Sequence, residues 1–187
     1  MVKIGHEVPE FAMSVYHDDE IKDIKLSDYR GKWVVVVFYP ADFTFVCPTE
    51  LEDVASLYPR FEAAGAEVIS VSTDTAFVHK AWHDASEAIG KVKYPMGADP
   101  TGAVSNLFGV YIDNEGLALR GTFIIDPDGI LKTAEVHDLG IGRSATEALR
   151  KLEAAKFVYE FGDQVCPANW TPGGDTLTPG LELVGKI

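Results

Sequence analysis

A chain of 187 residues, 47% hydrophobic and 24% charged, can bury a substantial core and is expected to form one domain plus an extension. Its formal net charge of -13 and pI near 4.7 provide no surplus of Lys and Arg for phosphate groups, which excludes nucleic acid and anionic membrane as expected partners. Residues 1–9 contain no apolar run typical of a signal peptide, and no run of about 18 apolar residues occurs elsewhere. We therefore expect a cytoplasmic protein.

The first strong element in chain order is a buried strand. Residues 1–32 alternate short polar and apolar stretches broken by Pro9 and Gly31, which predicts a small hairpin that carries no chemistry. An unbroken run of β-branched and aromatic residues follows from Trp33 to Tyr39, and such a run is typical of a strand buried on both faces. We expect this strand at the centre of an α/β sheet, with Pro40 ending it.

A helix is predicted to begin at Cys47. An apolar stripe at helical spacing follows Cys47-Pro48 and runs toward Gly65, while Pro59 inside it predicts a kink or an early stop. The unpaired N–H groups and the positive end of the helix dipole favour the thiolate form of a cysteine in the first turn. The alternative, that Cys47 is only a small buried hydrophobic residue, fits this position less well.

The next two elements are a strand from Ala66 to Ser72 and a helix capped by Asp74 or Thr75. His79 and His83 are four residues apart on that helix and could share a metal. No His-Glu-x-x-His arrangement or third ligand accompanies them, so we interpret both as ordinary helix residues and expect no metal.

Turn and capping residues predict the rest of the core. In order these elements are a short helix opened by Asp99-Pro100 and ending at Phe108, a turn at 113–116, a strand from Leu117 to Ile125, a turn at 126–129, a strand from Ile130 to Val136, and a helix from the capping box Ser144-Ala145-Thr146-Glu147 to about Tyr159.

Arg120 lies in the strand that returns toward Ile125. A lone arginine in a strand is usually a solvent-facing edge residue. Its functional interpretation depends on whether the Cys47 thiolate has a fixed cation beside it, and the sequence leaves both possibilities open.

The composition changes beyond Gly162, where Pro, Gly, Thr and Asp dominate and no helical or strand period continues. This stretch is predicted to be an extended arm that carries Cys166. The two cysteines of the chain are too few for a disulfide scaffold and too far apart for a zinc knuckle, so we expect reactive thiols.

A buried strand, a proline and a helix that starts at a reactive cysteine form the thioredoxin-like layout. Thioredoxin-type exchange needs Cys-x-x-Cys, whereas this chain has Thr44-Phe45-Val46-Cys47 at that position. The hydroxyl of Thr44 can donate to one oxygen and accept from another, which suits an oxygen-bearing substrate beside the sulfur.

The stretch Pro40-Ala41-Asp42-Phe43-Thr44-Phe45-Val46-Cys47 matches the Pro-x-x-x-Thr-x-x-Cys signature of the peroxiredoxins. Together with Val165-Cys166-Pro167, it makes the whole chain resemble the typical two-cysteine peroxiredoxins of the bacterial alkyl hydroperoxide reductase type. The resemblance implies an α/β, thioredoxin-like fold with a central mixed β-sheet flanked by helices. It also implies a peroxidase domain over residues 2–158 and a C-terminal arm over residues 159–187.

The resemblance assigns a role to each site residue. Cys47 is then the peroxidatic cysteine and Cys166 the resolving cysteine, Pro40, Thr44 and Arg120 complete the peroxide pocket, and Glu50 orients the arginines. The implied enzyme reduces hydrogen peroxide and organic hydroperoxides to water and alcohols through a sulfenic acid on Cys47, in antioxidant defence. Sequence spacing alone leaves open whether Cys47 and Cys166 then bond within one chain, while the Pro- and Gly-rich arm and the resemblance both favour a bond between two subunits.

Partners follow from the same resemblance. No Gly-x-Gly-x-x-Gly stretch is present to bind nicotinamide or flavin, so we expect no cofactor. The disulfide is then reduced by an external flavin-dependent, NADH-consuming disulfide reductase or a thioredoxin-type protein. A homodimer that assembles into a decamer is implied as well.

The chain departs from easily overoxidised eukaryotic relatives, because it has neither a Gly-Gly-Leu-Gly loop nor a terminal Tyr-Phe pair. A covering C-terminal helix is therefore in question. Two other functions fit the sequence less well. A non-enzymatic holdase or scaffold explains neither Thr44 nor the pair Cys47 and Cys166, and a structural disulfide protein conflicts with a cytoplasmic location.

Overall fold

The computed structural model describes residues 1–186, which form nine strands and four α-helices. The strands are β1 (Ala12–His17), β2 (Glu20–Lys25), β3 (Trp33–Phe38), β4 (Ala66–Ser72), β5 (Met96–Ala98), β6 (Tyr111–Ile112), β7 (Leu117–Ala118), β8 (Arg120–Ile125) and β9 (Leu131–His137). The helices are α1 (Cys47–Ala63), α2 (Ala76–Ala85), α3 (Ala103–Phe108) and α4 (Ala145–Glu160), and short 3-10 turns cover Leu26–Tyr29, Ile89–Lys91 and Leu181–Leu183. Across these described residues no helix has the length and apolar character needed to span a bilayer.

Seven strands form one mixed sheet in the order β2-β1-β5-β4-β3-β8-β9. The pairs β3/β4 and β4/β5 are parallel, and the remaining pairs are antiparallel. All six residues of β3 are buried, as the unbroken apolar run predicted. The predicted N-terminal hairpin is β1/β2, and the α/β, thioredoxin-like architecture is confirmed.

Alternation along β3 places Val34, Val36 and Phe38 in one hydrophobic cluster beneath the sheet. Phe38 meets the rings of Phe108 and Phe123 at centroid distances of 5.1 Å and 5.7 Å, and these two rings lie 4.8 Å apart. Burying each such ring contributes about 1.5–3 kcal/mol, so this cluster holds β3 firmly against β8. The loop that leaves β3 therefore starts from a rigid support.

The prediction of an early stop at Pro59 was wrong, because α1 continues to Ala63. Pro59 removes only its own N–H. Hydrogen bonding continues beyond it, since the Ala64 N–H donates to the Arg60 carbonyl at 3.0 Å. Gly65 then leaves the helix with φ +76°, in the left-handed region that glycine adopts easily.

Two further boundaries differ from the sequence prediction. Residues 99–102 form a turn, and α3 begins only at Ala103, because the carboxylate of Asp99 accepts the N–H groups of Val104 and Ser105 at 3.1 Å and 2.7 Å. The predicted strand from Leu117 to Ile125 is divided into β7 and β8 at Leu119, whose N–H donates to the Val110 carbonyl at 2.7 Å.

The chain divides into two compact units, one of Met1–Ala145 and one that begins at Thr146. In the second unit, residues 161–186 contain no α-helix. An isolated bridge joins Val165 to Leu177, and the buried ring of Trp170 lies 5.1 Å from that of Phe157. These residues are thus ordered by one bridge of their own and by a ring contact with α4.

Candidate active site

Cys47 is the first residue of α1 and is fully buried. Pro48, which has no N–H, occupies the second position, where a helix needs no donor. The N–H groups of Thr49 and Glu50 both donate to the Val46 carbonyl, at 3.0 Å and 3.3 Å. Two N–H groups of the first turn are therefore already paired within the helix.

Arg120 is the cation that lies beside this cysteine. It begins β8 and is only 4% exposed, so the structure contradicts the solvent-facing edge interpretation. Its Nη1 donates to the Sγ of Cys47 at 3.4 Å, and its Nε donates to the Leu139 carbonyl at 2.7 Å. Two bonds on different nitrogens fix the guanidinium plane, which a single contact would leave free to rotate.

Glu50 supplies the negative charge that compensates this arginine. Its Oε2 accepts from Arg120 Nη1 at 2.6 Å, and its Oε1 accepts from the Nε and the backbone N–H of Arg143 at 2.8 Å and 2.9 Å. Burial raises the pKa of the Glu50 carboxyl, but the hydrogen bonds and charge of Arg143, together with the charge of Arg120, outweigh it and hold the pKa below 4.5. Glu50 therefore stays ionised between two arginines.

Arg143 is a site residue that the sequence analysis missed. Besides its bonds to Glu50, its Nη1 donates to the Gly121 carbonyl at 2.7 Å and to Thr122 Oγ1 at 3.2 Å. The position of Arg143 in the sequence could have indicated its role. A cation just before the start of a helix is opposed by the helix dipole, so an arginine there needs an acceptor elsewhere in the fold.

The loop between β3 and α1 carries the other two predicted pocket residues. Pro40 is buried two residues after the end of β3, and Thr44 is partly buried three residues before Cys47. The Thr44 hydroxyl donates to the Ala41 carbonyl at 2.8 Å, so its lone pairs remain as acceptors. Between these residues Phe43 adopts φ +56°, a left-handed conformation that is rare for a bulky side chain.

The two histidines of α2 make separate contacts. His79 is fully buried beside Asp42, at 2.7 Å between Nδ1 and Oδ2. The Nε2 of His83 lies 3.2 Å from the Val92 carbonyl. In residues 1–186 no group of His, Cys, Asp and Glu side chains is arranged to hold a metal ion.

Cys166 belongs to the second unit. It is partly buried, and its Sγ donates to the Ala154 carbonyl at 3.8 Å. Burial raises the pKa of this thiol, and both cysteines of the chain are free thiols. The fold and the site together define a thioredoxin-like protein with one buried thiol at a helix start, held against a fixed guanidinium.

Comparison with known proteins agrees with this class. Residues 4–134 match the model of the AhpC/TSA family, and residues 154–182 match the model described as the C-terminal domain of 1-Cys peroxiredoxin, a span that here includes Cys166. The chain is 51% identical to alkyl hydroperoxide reductase C of Bacillus subtilis (strain 168) and 48% identical to that of Pseudomonas aeruginosa (strain UCBPP-PA14), each match covering all of both chains.

Two solved structures are also similar to this chain. The crystal structure of Enterococcus faecalis AhpC is 50% identical with a TM-score of 0.86, over 89% of this chain and 100% of that chain. The reduced Plasmodium vivax 2-Cys peroxiredoxin is 34% identical with a TM-score of 0.92, over 96% of this chain and 94% of that chain. The chain belongs to the AhpC/TSA family and is an enzyme, a peroxiredoxin of the bacterial alkyl hydroperoxide reductase C type.

Proposed function

We propose that this enzyme is a thiol-dependent peroxidase that reduces hydrogen peroxide and organic hydroperoxides to water and alcohols. The observation that carries the proposal is the 3.4 Å contact between Arg120 Nη1 and the Sγ of Cys47 at the start of α1. A guanidinium donor and a helix N-terminus both stabilise a thiolate, the form of cysteine that attacks an O–O bond.

In the first step the Cys47 sulfur attacks one oxygen of the hydroperoxide. An S–O bond forms, the O–O bond breaks, and the second oxygen leaves as hydroxide or alkoxide, which takes a proton from water. Cys47 becomes a sulfenic acid and the peroxide is reduced by two electrons. Arg120 and the Cys47 N–H stabilise the charge that spreads over both oxygens during this displacement.

The other pocket residues orient the peroxide. The free lone pairs of Thr44 accept the O–H of the hydroperoxide, because its own proton is directed to the Ala41 carbonyl at 2.8 Å. Pro40 contributes an apolar wall that lacks an N–H. Glu50 and Arg143 hold the guanidinium of Arg120 in place, since each Glu50 oxygen accepts from an arginine.

In the second step Cys166 resolves the sulfenic acid. The Cys166 thiolate attacks the Cys47 sulfur, the S–O bond breaks, and hydroxide leaves as the disulfide forms. The first turn of α1 unwinds for this step, because Cys47 is fully buried. We place the bond between two subunits of a homodimer, with residues 159–187 as the arm that crosses and residues 2–158 as the peroxidase domain.

The disulfide is then reduced from outside the chain, by a flavin-dependent, NADH-linked disulfide reductase or a thioredoxin-type protein. Dimers assemble into a decamer in this proposal, and the cytoplasm is the expected location. Together these steps serve antioxidant defence and redox homeostasis.

The test is peroxide consumption with dithiothreitol as the electron donor. We expect the wild type to turn over hydrogen peroxide, and Cys47→Ser to lose turnover while its circular dichroism spectrum is unchanged. A wild-type protein that leaves peroxide untouched would refute the proposed function.

A further inference from the structure

The loop that carries Thr44 is tied to the core by a buried Asp–His hydrogen bond that the reaction itself does not use. Asp42 Oδ2 lies 2.7 Å from His79 Nδ1, and neither side chain is exposed to solvent. Asp42 Oδ1 accepts the Tyr39 hydroxyl at 2.7 Å, so both carboxylate oxygens are occupied. The Asp42 carboxylate is thus held both by Tyr39, which follows β3, and by His79, which lies in α2.

The ring of His79 connects this loop to β5. Its Nε2 lies 2.9 Å from the Gly97 carbonyl, which can only accept, so this nitrogen carries a proton. Its Nδ1 faces the Asp42 carboxylate, so a second proton lies between that nitrogen and the oxygen. His79 therefore donates in both directions, and loss of either hydrogen bond leaves a buried acceptor without its partner.

Phe43 shows why the loop needs such anchoring. Its φ of +56° costs a non-glycine residue about 1–2 kcal/mol, and such a conformation persists only where its surroundings determine it. The backbone N–H of Asp42 donates to Asp74 Oδ2 at 2.8 Å, and the Phe43 ring lies 5.9 Å from the ring of Trp82. Asp42 is therefore held by the turn that follows β4, and Phe43 by α2.

We propose that His79 and Asp42 are positioning residues for the peroxide step. They set the left-handed turn at Phe43, and this turn sets where the Thr44 hydroxyl meets the peroxide. The proposal rests on the proposed function. The pair holds residue 42 and not the first turn of α1, so it acts on the oxidation of Cys47 and leaves the later resolution by Cys166 unchanged.

Two amide substitutions of His79 distinguish a positioning role from a purely structural one. The amide nitrogen of His79→Asn lies close to where Nδ1 was and keeps a donor for Asp42, whereas that of His79→Gln lies close to Nε2 and keeps the donor for Gly97. Each variant loses one buried hydrogen bond, so a purely structural role predicts similar losses in both. His83→Gln, on the same helix, is the control because its ring contacts the Val92 carbonyl and not this loop.

Rapid-quench mass spectrometry with hydrogen peroxide gives the rate of sulfenic acid formation in a Cys166→Ser background and the rate of disulfide formation with Cys166 present. We expect His79→Gln to lower the oxidation rate constant at least tenfold, since a misplacement of 1 Å can cost about 10²-fold. We expect His79→Asn and His83→Gln to stay close to wild type, and the rate constant of the step from sulfenic acid to disulfide, fitted separately from the oxidation step, to be unchanged in all three.

Equal losses in the two His79 variants, a loss in His79→Asn alone, or no loss in either would overturn the positioning role. If His79→Gln fails to fold, Tyr39→Phe removes only the hydroxyl that donates to Asp42, and the oxidation rate must fall severalfold with resolution unchanged. An unaltered oxidation rate in folded Tyr39→Phe contradicts the proposal. A wild type that does not react with peroxide refutes the proposed function instead, so the two failures are distinguishable.

Discussion

The Nη1 nitrogen of Arg120 donates to Glu50 Oε2 at 2.6 Å and at the same time faces the sulfur of Cys47 at 3.4 Å. One N–H of this nitrogen is thus fixed by a carboxylate, which directs the other toward the thiol. Because Glu50 is bonded to Arg143 on its other oxygen, three buried charged groups determine the position of one donor. The cation beside Cys47 is therefore held before any substrate arrives.

Arg120→Lys is expected to lower the second-order rate constant for peroxide by about 10²-fold, the usual cost of losing one aligned donor. A lysine keeps the charge but cannot donate along the three directions that Glu50, Cys47 and the Leu139 carbonyl now occupy. Stopped-flow kinetics measures the effect, with Arg30→Lys at a partly exposed site as the matched control. A rate constant near wild type in Arg120→Lys would remove this residue from the pocket.

Thr44→Ser is expected to retain most of the activity and Thr44→Val to lose most of it, because we propose that the hydroxyl and not the methyl group accepts from the peroxide. Valine has nearly the same shape, so the comparison isolates one oxygen atom. Steady-state turnover with dithiothreitol gives both values. Equal activity in the two variants would contradict the role given to the hydroxyl.

Glu50→Gln is expected to destabilise the fold by about 3–5 kcal/mol at neutral pH, because two buried guanidinium groups lose their counter-charge. The folded pKa of Glu50 lies below 4.5, so the stability it contributes is complete above that pH and is lost as pH falls through the folded pKa. The difference in free energy of unfolding between wild type and Glu50→Gln should therefore become smaller at acid pH.

Urea unfolding of both proteins at several pH values measures that difference. Glu52→Gln is the control on the same helix, since Glu52 is partly exposed and pairs with Lys91 at the surface. Glu52→Gln should change the free energy of unfolding little, and its difference from wild type should not depend on pH in the same way. A gap between wild type and Glu50→Gln that stays constant down to acid pH would contradict the buried ion-pair network.

Oxidised protein is expected to run as a dimer on a non-reducing gel and to return to monomer with dithiothreitol, since we propose that Cys47 bonds to Cys166 of another subunit. A mixture of Cys47→Ser and Cys166→Ser should, after subunit exchange and peroxide, give a singly linked heterodimer. Each variant alone is the control, because neither can form that bond. If the wild type stays monomeric while its thiols disappear, the bond lies within one chain.

Local patterns in the sequence predicted the elements that depend on neighbouring residues. The apolar run from Trp33 gave β3, and Cys47-Pro48 gave the start of α1. Thr75 was one of two predicted caps of α2, and its side chain accepts from the Val78 N–H. The strand, the helix start and the helix cap could be predicted because each depends only on side chains within one turn or one strand.

The features that the sequence did not predict depend on partners far along the chain. Arg143 contacts Glu50, which lies 93 residues earlier in the sequence, and His79 contacts Asp42, which lies 37 residues earlier. Pro59 is tolerated because its neighbour Tyr58 is buried and donates its hydroxyl to Glu67 Oε1 at 2.8 Å, so tertiary contacts outweigh one missing hydrogen bond. No periodicity or motif within a short window carries this information.

The central claim is that Cys47 is the residue that peroxide oxidises. The most direct measurement treats reduced Cys166→Ser protein with one equivalent of hydrogen peroxide, traps the product with a sulfenic-acid reagent and maps it by mass spectrometry. We expect one trapped sulfenic acid per chain, on Cys47, formed as one peroxide is consumed. Peroxide that remains unconsumed, or an oxygen found on a residue other than Cys47, would contradict the account.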